Sequence, residues 1–348
     1  MITSPCLCTR EDVKRAVDIK LTARADDAVD RAIEAATGVV TGQLHRAFFP
    51  WTGTRYFDWP RRSRAWILRL DQHEVVSVST LTAGGVTIPS TDYFLEPNGS
   101  GPPYTRIEVD ISSASAFATG DTTQRAIAVT GVFCGVPADT SPAGALDGAI
   151  NSTVTSLTVT DSSAIGVGDV LLIDSERLLV AGRSMADTGV TASALTASNS
   201  DVAITASASS GAPTAGEVIL VDSERMLVVD AIGTALTVKR AWDGSVLAAH
   251  DAATAVYASR ALTVQRGLLG TTAASHSDAA AVARHVVPGL VRQYAVAEAI
   301  SQGLQEGAGW ARQAGSGDNE REVLQRGLGV LRDQAYTAYG RKARTRAV

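Results

Sequence analysis

Cysteine is scarce in this chain: Cys6, Cys8 and Cys134 are the three in 348 residues. An odd, sparse set makes no disulfide framework. Cys6-x-Cys8 is half of a metal-ligand pattern, but no second Cys or His pair follows at ligand spacing, so free thiols in a reducing cytoplasm are expected. Aromatic residues are only 5% of the chain, which argues against a few large aromatic cores and for many small β elements. No stretch of apolar residues is long enough for a membrane-spanning helix. Residues 1–10 lack the basic start and apolar centre of a signal peptide. The short patterns of common enzymes are missing too: no G-x-S-x-G elbow, no Walker loop, no G-x-G-x-x-G after a strand and no H-E-x-x-H. Basic residues fall short of acidic ones, 31 against 36, and a net charge of −5 does not suit a protein that coats DNA.

What the chain has is internal repetition. Residues 236–256 and 262–282 align without a gap, and ten of the 21 positions are identical. Upstream, Gly168–Val180 (GDVLLIDSERLLV) returns as Gly216–Val228 (GEVILVDSERMLV). Repeated β units keep the same packing residues, whereas catalytic sites are rarely copied this way. The order along the chain is front half, front half, back half, back half. The middle pair is one intact unit, and the outer pair is a second unit split by it. Nested insertion, one module placed in a loop of its own copy, is the expectation, because loops on a rigid scaffold tolerate insertion. Tandem duplication with loss of a half is the alternative. Pairing of Leu171–Ile173 with 262–282 separates the two.

Around the repeats the period changes. Thr9 and Asp12 make a capping-box start for a first helix. Val29, Ala32, Ile33, Ala36, Val40 and Leu44 form one face of a second. From Arg55 to Phe133 the period is two, with turns at Gly84-Gly85 and 98–103, which reads as a small sheet. Residues 138–146 look like a linker. Pro288 restarts helix, and 322–344 is a final one. The fold class expected is α+β: a helical bundle core with a small β element, plus a large all-β insertion built from two related modules. The domains are 1–137, the first part of the core; 148–285, the insertion, with module A at 150–183 plus 260–285 and module B nested at 199–258; and 286–348, the helices that complete the core.

The repeated polar residues are read as architecture. Asp174 and Asp222 suit bonds from turn amides. Glu176 beside Arg177, and Glu224 beside Arg225, suit salt bridges at a turn more than a cation or sugar site. His250 and His276 recur with Arg240 and Arg266, and a histidine that bonds a backbone carbonyl to fix the turn is favoured over a metal ligand. Gly244 and Gly270 are expected at positive φ. No catalytic residue, cofactor or metal is expected. The basic run Arg341, Lys342, Arg344 and Arg346 is a candidate face for a partner or for DNA phosphates, the partner or solvated-tail readings ranking first. Arg61, Arg62 and Arg64 read as a solvated hairpin tip.

Thr9–Val13, Asp26-Asp27, Ile33–Ala36, Leu44–Phe48, the strands at 66–81, Asp92–Leu95 and Val129–Gly135 together resemble the head–tail adaptor (connector) proteins of long-tailed bacteriophages. The likeness covers about 9–135 and 288–345. The repeats resemble β modules of actinobacterial phage structural proteins, in which R-G-x-x-G-T…H recurs. Arg266-Gly267-Leu-Leu-Gly270-Thr271 with His276 matches, and Ala241–Ser245 departs. The resemblance implies a virion protein of the neck, made in the host cytoplasm. It implies a ring, commonly of about twelve copies, closed by rotation. The ring would bind the portal above and the next connector or stopper below, pass genomic DNA through its lumen, and present the insertion as a peripheral decoration toward capsid protein or solvent. No membrane is involved. A tail-fibre or receptor-binding adhesin is the alternative, and a cell-wall hydrolase a third.

Overall fold

The structure, a computed structural model, describes residues 2–17, 26–60, 64–307, 313–314, 321–322 and 325–341. Helix α1 (Arg10–Val17) starts on the expected box: the Thr9 N–H donates to Asp12 Oδ2 at 3.0 Å and the Asp12 N–H to Thr9 Oγ1 at 3.1 Å. Helix α2 (Asp26–Leu44) buries Val29, Ile33, Ala36, Val40 and Leu44 along one stripe. Helices α3 (Gly289–Gly307) and α4 (Gln325–Tyr339) come from the other end of the chain. They pack with α2: Tyr294 Oη donates to Gln43 Oε1, and Arg31 pairs with Glu306 at 3.2 Å.

Seven strands follow α2: β1 (Trp51–Phe57), β2 (Ile67–Arg69), β3 (Val75–Ala83), β4 (Val86–Ile88), β5 (Tyr93–Glu96), β6 (Arg106–Val109) and β7 (Ile127–Phe133). They form two sheets, ordered β1-β7-β3-β4 and β2-β6-β5. Leu68 and Ile107 from one sheet meet Leu81, Ile127, Val129 and Phe133 from the other in a small separate core.

Ten further strands make one antiparallel sheet, and Gln313–Ala314 pairs with Arg321–Glu322 in a separate two-stranded one. The ten are β8 (Thr140–Ala145), β9 (Ser156–Thr158), β10 (Val170–Ile173), β11 (Glu176–Ala192), β12 (Ala203–Thr205), β13 (Val218–Val221), β14 (Glu224–Ile232), β15 (Ala235–Lys239), β16 (Thr254–Gln265) and β17 (Ala281–His285). Their registers have the nested form. β10 pairs β17 through Leu171↔Arg284 and Ile173↔Val282, and β13 pairs β16 through Ile219↔Ala258 and Val221↔Val256. β11 pairs β16 through Leu179↔Gln265 and Val180↔Val264, and β14 pairs β15 through Leu227↔Lys239 and Val228↔Val238. A β-bulge follows Val180 in one copy and Val228 in the other. The inner module closes its pair of strands with a tight hairpin at Gly233-Thr234. The outer module at that point lets β11 run on as far as Ala192 and receives the chain back in β16. These two long strands therefore belong to both modules.

Three expectations about the architecture fail. No helical bundle core forms: the described residues are 37% strand and 21% helix, with four helices. The helices instead lie as a layer on the sheet. Val29, Ile33, Val40, Val291 and Tyr294 share one continuous core with Leu171, Ile173, Leu178, Val264 and Val282. An apolar helical stripe reads the same whether a helix or a sheet faces it, so periodicity did not distinguish them. Module A is thus part of the main core and not a decoration. Only module B has a core of its own, built on Ile204, Ile219, Val221, Met226, Val228, Leu236, Val238 and Val256. The segment read as a linker, 138–146, is largely strand β8, paired with β17 through Ala283↔Pro142 and His285↔Thr140. Pro142 and Gly144 look like loop residues, but β8 is an edge strand, where proline is tolerated.

Candidate functional site

The repeated polar residues assemble into two superimposable corners. In module A the β10–β11 turn sets Asp174 at φ 51° and points Glu176 inward. Arg266 grips Glu176 with both prongs, Nε to Oε1 and Nη2 to Oε2, each at 2.7 Å. The Gly267 and Ala274 amides donate to the same carboxylate at 2.9 Å. His276 bridges Glu176 Oε2, at 2.9 Å from Nε2, and Asp174 Oδ2, at 2.7 Å from Nδ1. Module B repeats this with Glu224, Arg240, the Ala241 and Ala248 amides, His250 and Asp222; His250 lies 3.0 Å from Glu224 and 2.7 Å from Asp222. Arg266 Nη1 also ties down the Asn151 and Val154 carbonyls, as Arg240 Nη1 does those of Thr196 and Asp201. Burial alone would raise both glutamates, but the bonds from arginine, histidine and two amides outweigh it and hold each at about 2.

The corners therefore brace loops; both oxygens of each buried glutamate face donors of its own chain. Three details differ from the expectation. The histidine rings bond carboxylates, not backbone carbonyls. The aspartates accept from those rings, not from turn amides. The glutamates pair with Arg266 and Arg240 across the module, not with their neighbours in sequence. Arg177 donates to Thr52 Oγ1 at 2.7 Å, and Arg225 to Asp243 at 2.8 Å. A strand residue two positions along points to the same face, while its immediate neighbour points away, so Glu176 and Arg177 could not share a site. Gly244 and Gly270 have φ of 76° and 81°. A Cβ on Gly270 would overlap the Thr52 carbonyl oxygen, because this corner docks on β1, where the Thr52 N–H donates to Leu269 O at 2.9 Å.

The departures in the second copy have a cause in what each corner touches. Where module A has Leu269 against β1, module B has Asp243 between Lys14, at 2.8 Å, and Arg225. Lys14 in turn meets Asp26 at 2.6 Å, so the corner of module B is tied to α1 and α2.

A third cluster escaped the sequence reading. Glu217, fully buried, takes Arg260 at 2.9 and 2.8 Å, the Ser162 N–H at 3.0 Å and the Thr214 N–H at 2.9 Å. It joins the two modules. Its copy is Asp169, which accepts from the Gly166 N–H at 2.8 Å and lies 3.9 Å from both Arg284 and Arg292, under the helices. Burial pushes Asp169 up to about 6 although both arginines oppose it. The signal was present as a repeated acid before each hairpin, G-D-V and G-E-V.

Of the basic C-terminus, Lys342, Arg344 and Arg346 lie outside the described residues, as do Arg61 and Arg62. Arg341 is engaged within the chain. Its N–H donates to Leu44 O at 3.0 Å, Nη1 donates to Asp71 O, and Nη2 lies 3.1 Å from the buried Glu74, which Arg46 also meets at 3.3 Å. The three cysteines are buried and free, with thiols pushed up by that burial, Cys6 to about 12 and Cys134 to about 11. Among the described residues no group of His, Cys, Asp and Glu is arranged to hold a metal ion, and no helix is long and apolar enough to cross a membrane. Comparison with protein families, with curated proteins and with solved structures finds no match to this chain.

Proposed function

We propose that the chain is a virion structural protein, a head-to-tail adaptor whose copies form a ring between the portal and the tail-side connector, with DNA passing through the lumen. One observation carries the reading: helices from both ends of the chain pack as a single layer, α2 against α3 and α4, on a sheet that the same core continues. That makes one rigid block out of distant segments, which suits a subunit that transmits load through a ring. The recurring titratable groups support a structural role, since both corners turn their carboxylates and histidines to bracing loops. Module B, with its separate core, is the part free to meet capsid protein or a neighbouring subunit.

The test is sedimentation and negative-stain microscopy of the purified chain mixed with its portal protein. A ring docked on the portal is expected. A free trimer that ignores the portal overturns the reading in favour of a fibre. A monomer that ignores the portal and cleaves cell-wall polymer overturns it in favour of a hydrolase.

A further inference from the structure

One sheet face occurs twice in this chain, covered in module A and open in module B. In module A the pairs Val170↔Leu179 and Leu179↔Gln265 put these three residues on the face turned away from the module interior. Val170 and Leu179 are buried there. The start of the chain lies over them: Gln265 Nε2 donates to Ile2 O at 3.2 Å, the Cys6 N–H donates to Gly168 O at 3.0 Å, and Leu7 and Ile33 share a core with Leu179. In module B the pairs Val218↔Leu227, Leu227↔Lys239, Leu220↔Arg225 and Leu220↔Tyr257 set out the same face. Here Val218, Leu220 and Leu227 are half-buried and Tyr257 is 38% exposed. The pair Ile232↔Ala235 carries the face on toward the hairpin, where Ile232 is 75% exposed. Lys239, at the position of Gln265, turns to its own module, 5.3 Å from the centre of the Trp242 ring.

Contiguous apolar side chains on an open sheet face mark a contact surface. The charges among them say what fits. Arg225 and Lys239 stand toward the corner end of the face; Asp230, opposite Thr237, stands toward the hairpin end, and Asp187, opposite Tyr257, at the side. Asp243, which Arg225 also meets, is matched by Lys14. Two cations and two acids leave the face without net charge, so it does not repel its own copy. A half-turn lays the hairpin end of one copy over the corner end of another, acid toward cation. We infer that this face is a self-association surface, on which two copies of the chain pair module B to module B, sheet on sheet, about a two-fold axis. Such an isologous contact needs a self-complementary patch, which this is. Four strands, β16, β13, β14 and β15, carry it. At sheet spacings they offer about 400 Å², against about 800 Å² per partner in a standard interface, so the pair is weak, with a micromolar dissociation constant. A two-fold contact does not join neighbours around a cyclic ring, so the inference does not rest on the adaptor reading.

The test is sedimentation velocity of the full chain alone, over about 1–200 µM, a range that spans weak association. Monomer passing to dimer as concentration rises is expected. Ile232→Lys and Tyr257→Lys, both at exposed positions outside the module B core, should each weaken the dimer about tenfold or more, since the two-fold axis sets every added charge near its own copy. Hydrogen exchange of wild type at the two ends of the range gives a second readout that needs no variant: residues 218–232 and 254–258 should gain protection with concentration, and α2 and α3 should not. A chain that stays monomeric throughout, an assembly larger than a dimer, a dimer that both variants leave unchanged, or protection gained elsewhere overturns the inference. A chain that stays monomeric alone but gains protection at 218–232 when portal protein is added overturns it in favour of a foreign partner on this face. Portal docking is scored on the same preparations. A ring docked on the portal by a chain that never dimerises sinks this inference alone; a dimer that ignores the portal sinks the adaptor reading alone.

Discussion

Replacing Glu224 with alanine should open module B and leave the rest of the molecule folded. The carboxylate is fully buried and accepts from Arg240 twice, from the Ala241 and Ala248 amides, and from His250. The side chains of Arg240 and His250 are 1% and 0% exposed. Neither can turn to water when its partner is gone. Removing one member of a buried pair costs about 3–5 kcal/mol. A second route gives the same size. Glu224 is held at about 2 against an ordinary 4.5, and that gap at about 1.4 kcal/mol per pH unit comes to about 3 kcal/mol. The sign follows: the folded value is depressed, so this stability is complete above about 4.5 and is lost as pH falls through about 2. The module B core is separate from the core shared with the helices, so the loss should stay local. Hydrogen exchange measured peptide by peptide reads it. In Glu224→Ala, strands β13, β14 and β15 should lose protection while α2, α3 and the small sandwich keep theirs. The twin change, Glu176→Ala, removes the same bonds from a corner built into the main core and should lower protection in sheet and helices together. Equal loss in α2 and in β14 for Glu224→Ala would refute the separation of the cores, and a cost below about 1 kcal/mol would refute the role of the corner.

Asp169 runs the other way with pH: its folded value is raised to about 6 from 3.8, so its contribution is greatest below about 3.8 and is lost as pH rises through about 6. Asp169→Asn should flatten the stability profile between those limits, and urea midpoints at several pH values would expose a failure as an unchanged slope. Gly270→Ala should cost roughly 2 kcal/mol or more, since φ is 81° and the added methyl overlaps the Thr52 carbonyl. A thermal midpoint equal to wild type would show that the corner does not need to approach β1 so closely.

The repeats were the most legible part of the chain because a module keeps its inward positions. Leu171, Ile173, Leu178, Val180, Leu262, Val264 and Val282 return as Ile219, Val221, Met226, Val228, Leu236, Val238 and Val256, all buried. The α2 stripe and the Thr9–Asp12 cap were legible for local reasons. What the sequence hid was the partner of each face. The stripe of α2 did not say that Ile173 and Val282 would face it. Glu176 did not show that its arginine stands 90 positions on. Strand β11 was hidden as a single element because it changes modules midway, with register shifts at Val180/Gly182, Ser184/Ala186 and Asp187/Thr191. The partner of Arg341 was hidden for the same reason. Clustered charge predicts a surface, but Arg341 found Glu74, a buried acid whose neighbours in sequence gave no sign of it.

Where the two copies differ, the difference tracks contact and not drift. Arg284 faces Asp169 under the helices; the matching position in module B is Ala258, and there Glu217, the copy of Asp169, takes Arg260 instead. Leu269 presents its carbonyl to β1, and the matching Asp243 presents a carboxylate to Lys14. Asp169 reaches up to the helical layer, and the longer Glu217 reaches across to Arg260 and Ser162. Ala181, 2% exposed, becomes Val229, 58% exposed. An interior of fixed shape sets the first class of positions and whatever the module rests against sets the second. The unpaired Arg177 belongs to the second class: its copy acquired an acid from the corner it touches, and it did not. A module braced by its own corners needs no charge partner there.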